Sequence, residues 1–194
     1  MLQLRWTVIL LWVGGVAVTP ELEQIRREVE QVTSGCSEPN WRRAPVGKWS
    51  SAQVFEHLLL TYTGTTKGLR RVLEAGRPLG GVPTWPHRAR KIAVTKFGWM
   101  PAGRTAFKQV YPEDGLDVTS MGRFYDALVA MDATLQDAER RFGKNALLLD
   151  HPFLGPLNAQ EWRLFHRTHT RHHLKQAIER MGSSSASAGR RASA

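Results

Sequence analysis

The sequence predicts an all-α fold, a four-helix bundle with a long irregular crossover between its second and third helices. Four stretches carry apolar residues at steps of three and four, no stretch alternates as a strand would, and the chain-breaking residues crowd into one connection. The 194 residues suffice for one domain with a core of its own. Hydrophobic residues at 42% and charged residues at 23% argue against wholesale disorder. Residues 19–182 are expected to form the bundle.

The first 18 residues differ from a globular helix. Behind Arg5, the apolar run from Trp6 to Val18 is broken only by Thr7, Gly14 and Gly15. The run is too short to cross a bilayer, so no transmembrane helix is expected. It matches the apolar region of a secretory signal, with Gly15 and Ala17 as small residues ahead of a cut. The competing explanation is a start codon called too early, because Thr19-Pro20 already makes an N-cap and N1 pair. A cytoplasmic location is the leading expectation and export through this segment the alternative.

Helix one follows from Leu22, Ile25, Val29 and Val32, with Glu21 and Glu23 at the positive end of its dipole and Gly35 as its stop. A loop through Pro39 and Pro45 leads to helix two. There Ser50 and Gln53 have capping-box spacing, and Val54, Leu58, Thr65, Leu69 and Val72 give an inward face as far as Ala75, before Gly76 and Pro78. Residues 76–118 carry eleven prolines and glycines, too many for a long regular element. Helix three spans Ser120 to Phe142, with Phe124, Leu128, Met131, Leu135 and Ala138 on its apolar side and Gly143 behind it. Helix four starts at Asn158, again with capping-box spacing to Glu161, and runs to Met181. The Ser/Ala/Gly-rich remainder, 183–194, reads as a disordered tail.

The formal charge of +10 is concentrated. Residues 40–110 hold 13 Lys and Arg against Glu56 and Glu74. Such a surface draws anions. Within the crossover, Arg88, Arg90, Lys91, Lys96, Arg104 and Lys108 interleave with Trp85, Phe97, Trp99 and Phe107, a mixture suited to a nucleic-acid strand or to the acidic group of a small substrate. The chain has no nucleic-acid-binding motif, which favours an ordinary solvated basic surface over a nucleic-acid partner; for the acidic group of a substrate or cofactor, Arg88, Arg90 and Lys91 are the candidates to receive it. A packed surface loop with solvated charges explains the same composition.

Cys36 is the only cysteine, which excludes an internal disulfide and multi-cysteine zinc sites. No Ser-His-Asp arrangement, Gly-rich phosphate loop or HExxH motif is present. Histidine is what remains. His169 and His173, one helical turn apart, point the same way and share their arc with Trp162, Phe165 and Gln176. Neutral imidazoles at that spacing can grip one ion, and His57, on the inward side of helix two, supplies a third donor. His166 and His172 flank the stripe at its rim, where His166, His172 or Gln176 can orient a ligand. Histidines also pack and hydrogen-bond without a metal, and His151 before Pro152 reads as a loop contact.

The blocks Trp49-Ser50 with Gln53-Val54-Phe55-Glu56-His57-Leu58, then His151-Pro152-Phe153-Leu154-Gly155-Pro156-Leu157, Glu161-Trp162 and His169-Thr170-Arg171-His172-His173-Leu174-Lys175-Gln176, resemble the DinB/YfiT-like superfamily. The resemblance is to a branch of unknown function with an HP-F-G-L, EW, H-xx-HH-L-x-Q signature, and it covers residues 20–180. It implies a four-helix bundle holding zinc, nickel or iron through His57, His169 and His173. It also implies a metal-dependent hydrolase, or a transferase working with a low-molecular-weight thiol. A homodimer is a further expectation. The expectation from another class is a non-catalytic protein whose basic loop holds an anionic partner.

Overall fold

The computed structural model describes residues 17–100 and 106–182. The apolar segment up to Val16, Arg104 and the tail from residue 183 lie outside the described residues. The chain is mostly helical. Its elements are α1 (Pro20–Thr33), α2 (Glu38–Arg42), α3 (Ser51–Ala75), α4 (Trp85–Phe97), α5 (Met121–Phe142), the strands β1 (Leu149–His151) and β2 (Gly155–Leu157), and α6 (Ala159–Gly182). No described helix is long and apolar enough to cross a membrane.

The local signals explain where the helices start and stop. Pro20 stands in the first turn of α1, with Thr19 as N-cap. The capping box of α3 is complete: Gln53 N–H donates to Ser50 Oγ at 3.2 Å, and Ser50 N–H donates to Gln53 Oε1 at 3.0 Å. Gly76 then closes the helix in the left-handed conformation, φ 66°. Asn158 and Glu161 form the same reciprocal pair at the head of α6, at 2.9 and 3.0 Å.

α3 packs along α5, and α6 lies across α1 and α3. Leu22, Ile25 and Val29 of α1, Val54, Leu58 and Leu69 of α3, and Phe124, Leu128, Met131 and Leu135 of α5 are completely buried. Each such side chain contributes about 1.5–3 kcal/mol on burial. The protein interior also holds an ion pair. Asp132, wholly buried, accepts from Arg163 Nε at 3.0 Å and from the Thr19 N–H at 2.6 Å, and Arg163 Nη1 reaches Glu139 at 2.8 Å.

Three features depart from the sequence reading. The crossover is not irregular throughout, because α4 occupies residues 85–97. Its Pro86 sits in the first turn, where the missing N–H costs nothing, and the other breakers all flank it. The loop through Pro39 contains α2, which buries Trp41 completely. That indole stacks on Phe55 at 4.9 Å and donates Nε1–H to the Leu116 carbonyl at 2.6 Å. Finally, β1 and β2 form a short antiparallel hairpin, with Leu149 opposite Leu157 and His151 opposite Gly155. Strands of three residues are too short for alternation to be read from sequence.

Candidate metal centre

His57 comes from the second turn of α3, and His169 and His173 come from successive turns of α6. The packing of α6 against α3 brings the three rings together. Centroids lie 5.2 Å apart for His57 and His169, 4.8 Å for His57 and His173, and 4.6 Å for His169 and His173. One nitrogen from each ring falls within 4.8 Å of the other two. His57 is 5% exposed and His169 7%, so neither is solvated on the surface.

The hydrogen bonds set the tautomers. His57 Nδ1–H donates to the Val110 carbonyl at 2.7 Å, which leaves the Nε2 lone pair facing inward. His173 Nδ1–H donates to Gln176 Oε1 at 3.0 Å, and Gln176 in turn donates Nε2–H to His172 Nε2 at 3.0 Å. Gln176 therefore orients His173, and His172 anchors Gln176. Supports of this kind behind a metal-binding imidazole fix ring and tautomer together. His169 differs, since its Nδ1 has no partner among the described residues.

Burial lowers all three histidines below the ordinary imidazole range. For His57 burial is opposed only by the bond to Val110. His173 is pushed down to about 3 by burial and then by His57, while His169 goes well below its usual value through burial and its two histidine neighbours. All three are neutral at pH 7, the form that donates a lone pair.

The donor set fits a divalent ion. Two imidazole nitrogens each ~2.0–2.1 Å from a tetrahedral ion stand about 3.3 Å apart. The Nε2 atoms of His57 and His169 are separated by 3.3 Å. Three nitrogen donors leave a fourth position open, and a cavity of about 1230 Å³ lies over them. Trp49 walls one side, 5.2 Å from His57 and stacked on His173 at 6.5 Å, with Tyr111 edge-on to it. Phe165 stacks on His169 at 5.2 Å on the other side. From the crossover, α4 sends Val94 into the lining.

The other sequence-predicted residues scatter. Lys91 pairs with Glu161 at 2.7 Å, Arg90 lies over the Phe153 ring at 4.8 Å, and Arg88 is exposed on α4. None of the three lines the cavity. His166 is not at a rim: it is completely buried, 3.2 Å from Thr65 Oγ1 and stacked with Trp162. The ideal-helix angle placed it correctly relative to α6, but α3 and the β-hairpin cover that side too. His172 is half-buried, as a rim position requires.

Two groups at the site escaped sequence reading. The Val110 carbonyl that orients His57 is main chain and carries no residue signature. His151 lines the cavity, and its signal was the His-Pro start of a turn closed by Gly155.

No curated protein and no solved structure matches the chain. A family model described as "Protein of unknown function (DUF1569)" matches residues 19–180, and the chain belongs to that family.

Proposed function

We propose that this protein is a metalloenzyme of the DinB/YfiT-like kind, a four-helix bundle whose His57, His169 and His173 hold one divalent ion for a hydrolase or a thiol-dependent transferase. The observation that carries the reading is the set of three neutral imidazoles on two helices, His57 and His169 buried and His57 and His173 held in the ligand tautomer from behind, beneath a cavity. A purely structural site would be closed by a fourth protein ligand, whereas three protein donors and an open position are the catalytic pattern. Among the described residues no Cys, Asp or Glu joins the cluster.

A divalent ion bound there supplies Lewis acidity that brings the pKa of a coordinated water to about 7 and deprotonates a coordinated thiol. The chain's own residues do the rest. Val110 and Gln176 keep the Nε2 atoms of His57 and His173 turned inward, Trp49 and Phe165 exclude water from two sides, and the cavity admits a small organic substrate. The cations of α4, Arg88 among them, lend a positive field that draws an acidic substrate or thiol cofactor towards the cleft.

Cobalt(II) substitution tests the reading. One cobalt per chain is expected, with visible bands that change when azide or glutathione is added, because the fourth position exchanges. A spectrum indifferent to both additions contradicts an open site.

A further inference from the structure

Beside the histidine cluster, the β-hairpin presents one more imidazole whose protonation pattern is set by its own turn. His151 Nδ1 accepts two backbone N–H bonds, from Phe153 at 3.1 Å and Leu154 at 3.2 Å. A nitrogen that accepts two such bonds carries no proton, so the ring's proton sits on Nε2. Among the described residues Nε2 has no hydrogen-bond partner, yet it is not a sealed orphan, because the ring borders the cavity.

The position of this donor is fixed by its packing. Its ring meets Phe165 at 4.3 Å and Trp162 at 5.7 Å, both on α6. Phe165 in turn stacks on His169 at 5.2 Å, with the ring planes 17° apart. His151 therefore stands one aromatic ring beyond the metal-binding cluster, over a floor made by Phe165. The turn beneath it is also rigidly determined. Gly155 has φ 73°, and a Cβ there would run into the His87 ring. Burial holds the His151 pKa down at about 4, so the ring stays neutral at pH 7.

We infer that His151 Nε2–H is a substrate-binding donor, and that the cavity takes an elongated molecule with one group at the histidine cluster and a carbonyl, amide or carboxylate oxygen one ring-width away, held by His151. The inference rests on the metal reading above, and it specifies the substrate class. A neutral donor suits the task because it holds an oxygen acceptor without giving up its proton, and a cation buried at this depth would need a counter-charge. The apolar floor suits a flat or aromatic spacer between the two groups.

Two hydroxamates serve as probes on the cobalt-loaded protein: benzohydroxamate, and its 4-carbamoyl derivative, which adds an amide oxygen across the ring. The wild type is expected to prefer the carbamoyl compound about three- to tenfold, the worth of one neutral hydrogen bond. His151→Asn keeps an acceptor for the two turn N–H groups, while its own amide N–H donors, on a shorter side chain, fall short of the position of His151 Nε2. It is expected to bind cobalt and benzohydroxamate as the wild type does and to lose the preference. His151→Ala, which strips the turn of its acceptor, reports the purely structural contribution as a lowered Tm.

A second measurement needs no variant: 15N NMR of histidine-labelled wild type should show His151 with Nε2 protonated, and its signal should move with the carbamoyl compound but not with benzohydroxamate. Equal affinity of wild type and His151→Asn for both compounds, or a proton found on Nδ1, overturns the inference while leaving the metal site standing. Failure to take up cobalt overturns both.

Discussion

The Nε2 atoms of His57 and His169 face each other at 3.3 Å, although 112 residues separate them along the chain. His57 donates its Nδ1 proton to Val110, so its Nε2 carries the lone pair that faces His169. An ion shared by the two rings requires His169 Nε2 bare as well, with the proton on Nδ1. Histidine 15N spectra of the zinc-loaded protein should show all three rings protonated on Nδ1, and a His169 protonated on Nε2 contradicts it.

Gln176 accepts from His173 and donates to His172, without touching the ion's position itself. Gln176→Ala should weaken zinc binding about 10- to 100-fold, the usual effect of removing a hydrogen bond from behind a ligand. His173→Ala should weaken it further. Calorimetric titration with zinc gives both values, and equal affinity of Gln176→Ala and wild type would remove Gln176 from the site.

Acid should destabilise the metal-free fold before it protonates the surface carboxylates. Burial lowers His166 to about 3 and His151 to about 4, against 6.5 for an exposed imidazole. Below pH 6.5 the unfolded chain takes up protons that the folded chain refuses. The stability is thus fully present above pH 6.5 and is lost as pH falls through the window from 6.5 towards 3–4. Thermal melts at about pH 7.5 and about pH 4.5 should differ by roughly 5–10 °C, lower in acid, since each kcal/mol shifts Tm by about 2–4 °C in a domain of this size. A Tm unchanged across that interval would mean these rings are not buried.

Asp132 and Arg163 form a buried ion pair between α5 and α6, with side-chain exposures of 0% and 4%. Asp132→Ala leaves the guanidinium in place with only Glu139 opposite and also frees the Thr19 N–H. The expected cost is about 3–5 kcal/mol, read from the midpoint of urea unfolding. A loss below about 1 kcal/mol would show that water reaches the pair.

The main helices were legible because their signals are local: Ser50 with Gln53, Asn158 with Glu161, and the glycines at 76 and 143 mark ends without help from the rest of the fold. The three histidines were legible because helical periodicity puts His169 and His173 on one arc and His57 on the inward side of α3. What stayed hidden depends on tertiary packing. α4 has one buried residue, Val94, so its periodicity is faint, and proline counting hid it further. α6 is apolar on no single side, because Arg163 and His166 are buried alongside Trp162 and Phe165; an inward stripe narrower than the buried surface misplaced His166. The role of His151 follows from two main-chain N–H groups that only the folded turn presents to it.

Metal content of the untagged protein, purified without chelators and measured by elemental analysis, addresses the histidine cluster most directly. One divalent ion per chain is expected in the wild type, with loss of that ion in His57→Ala, His169→Ala and His173→Ala alike. A wild-type protein that is metal-free as isolated and takes up neither zinc nor nickel, while folded, would show that the three imidazoles serve packing alone.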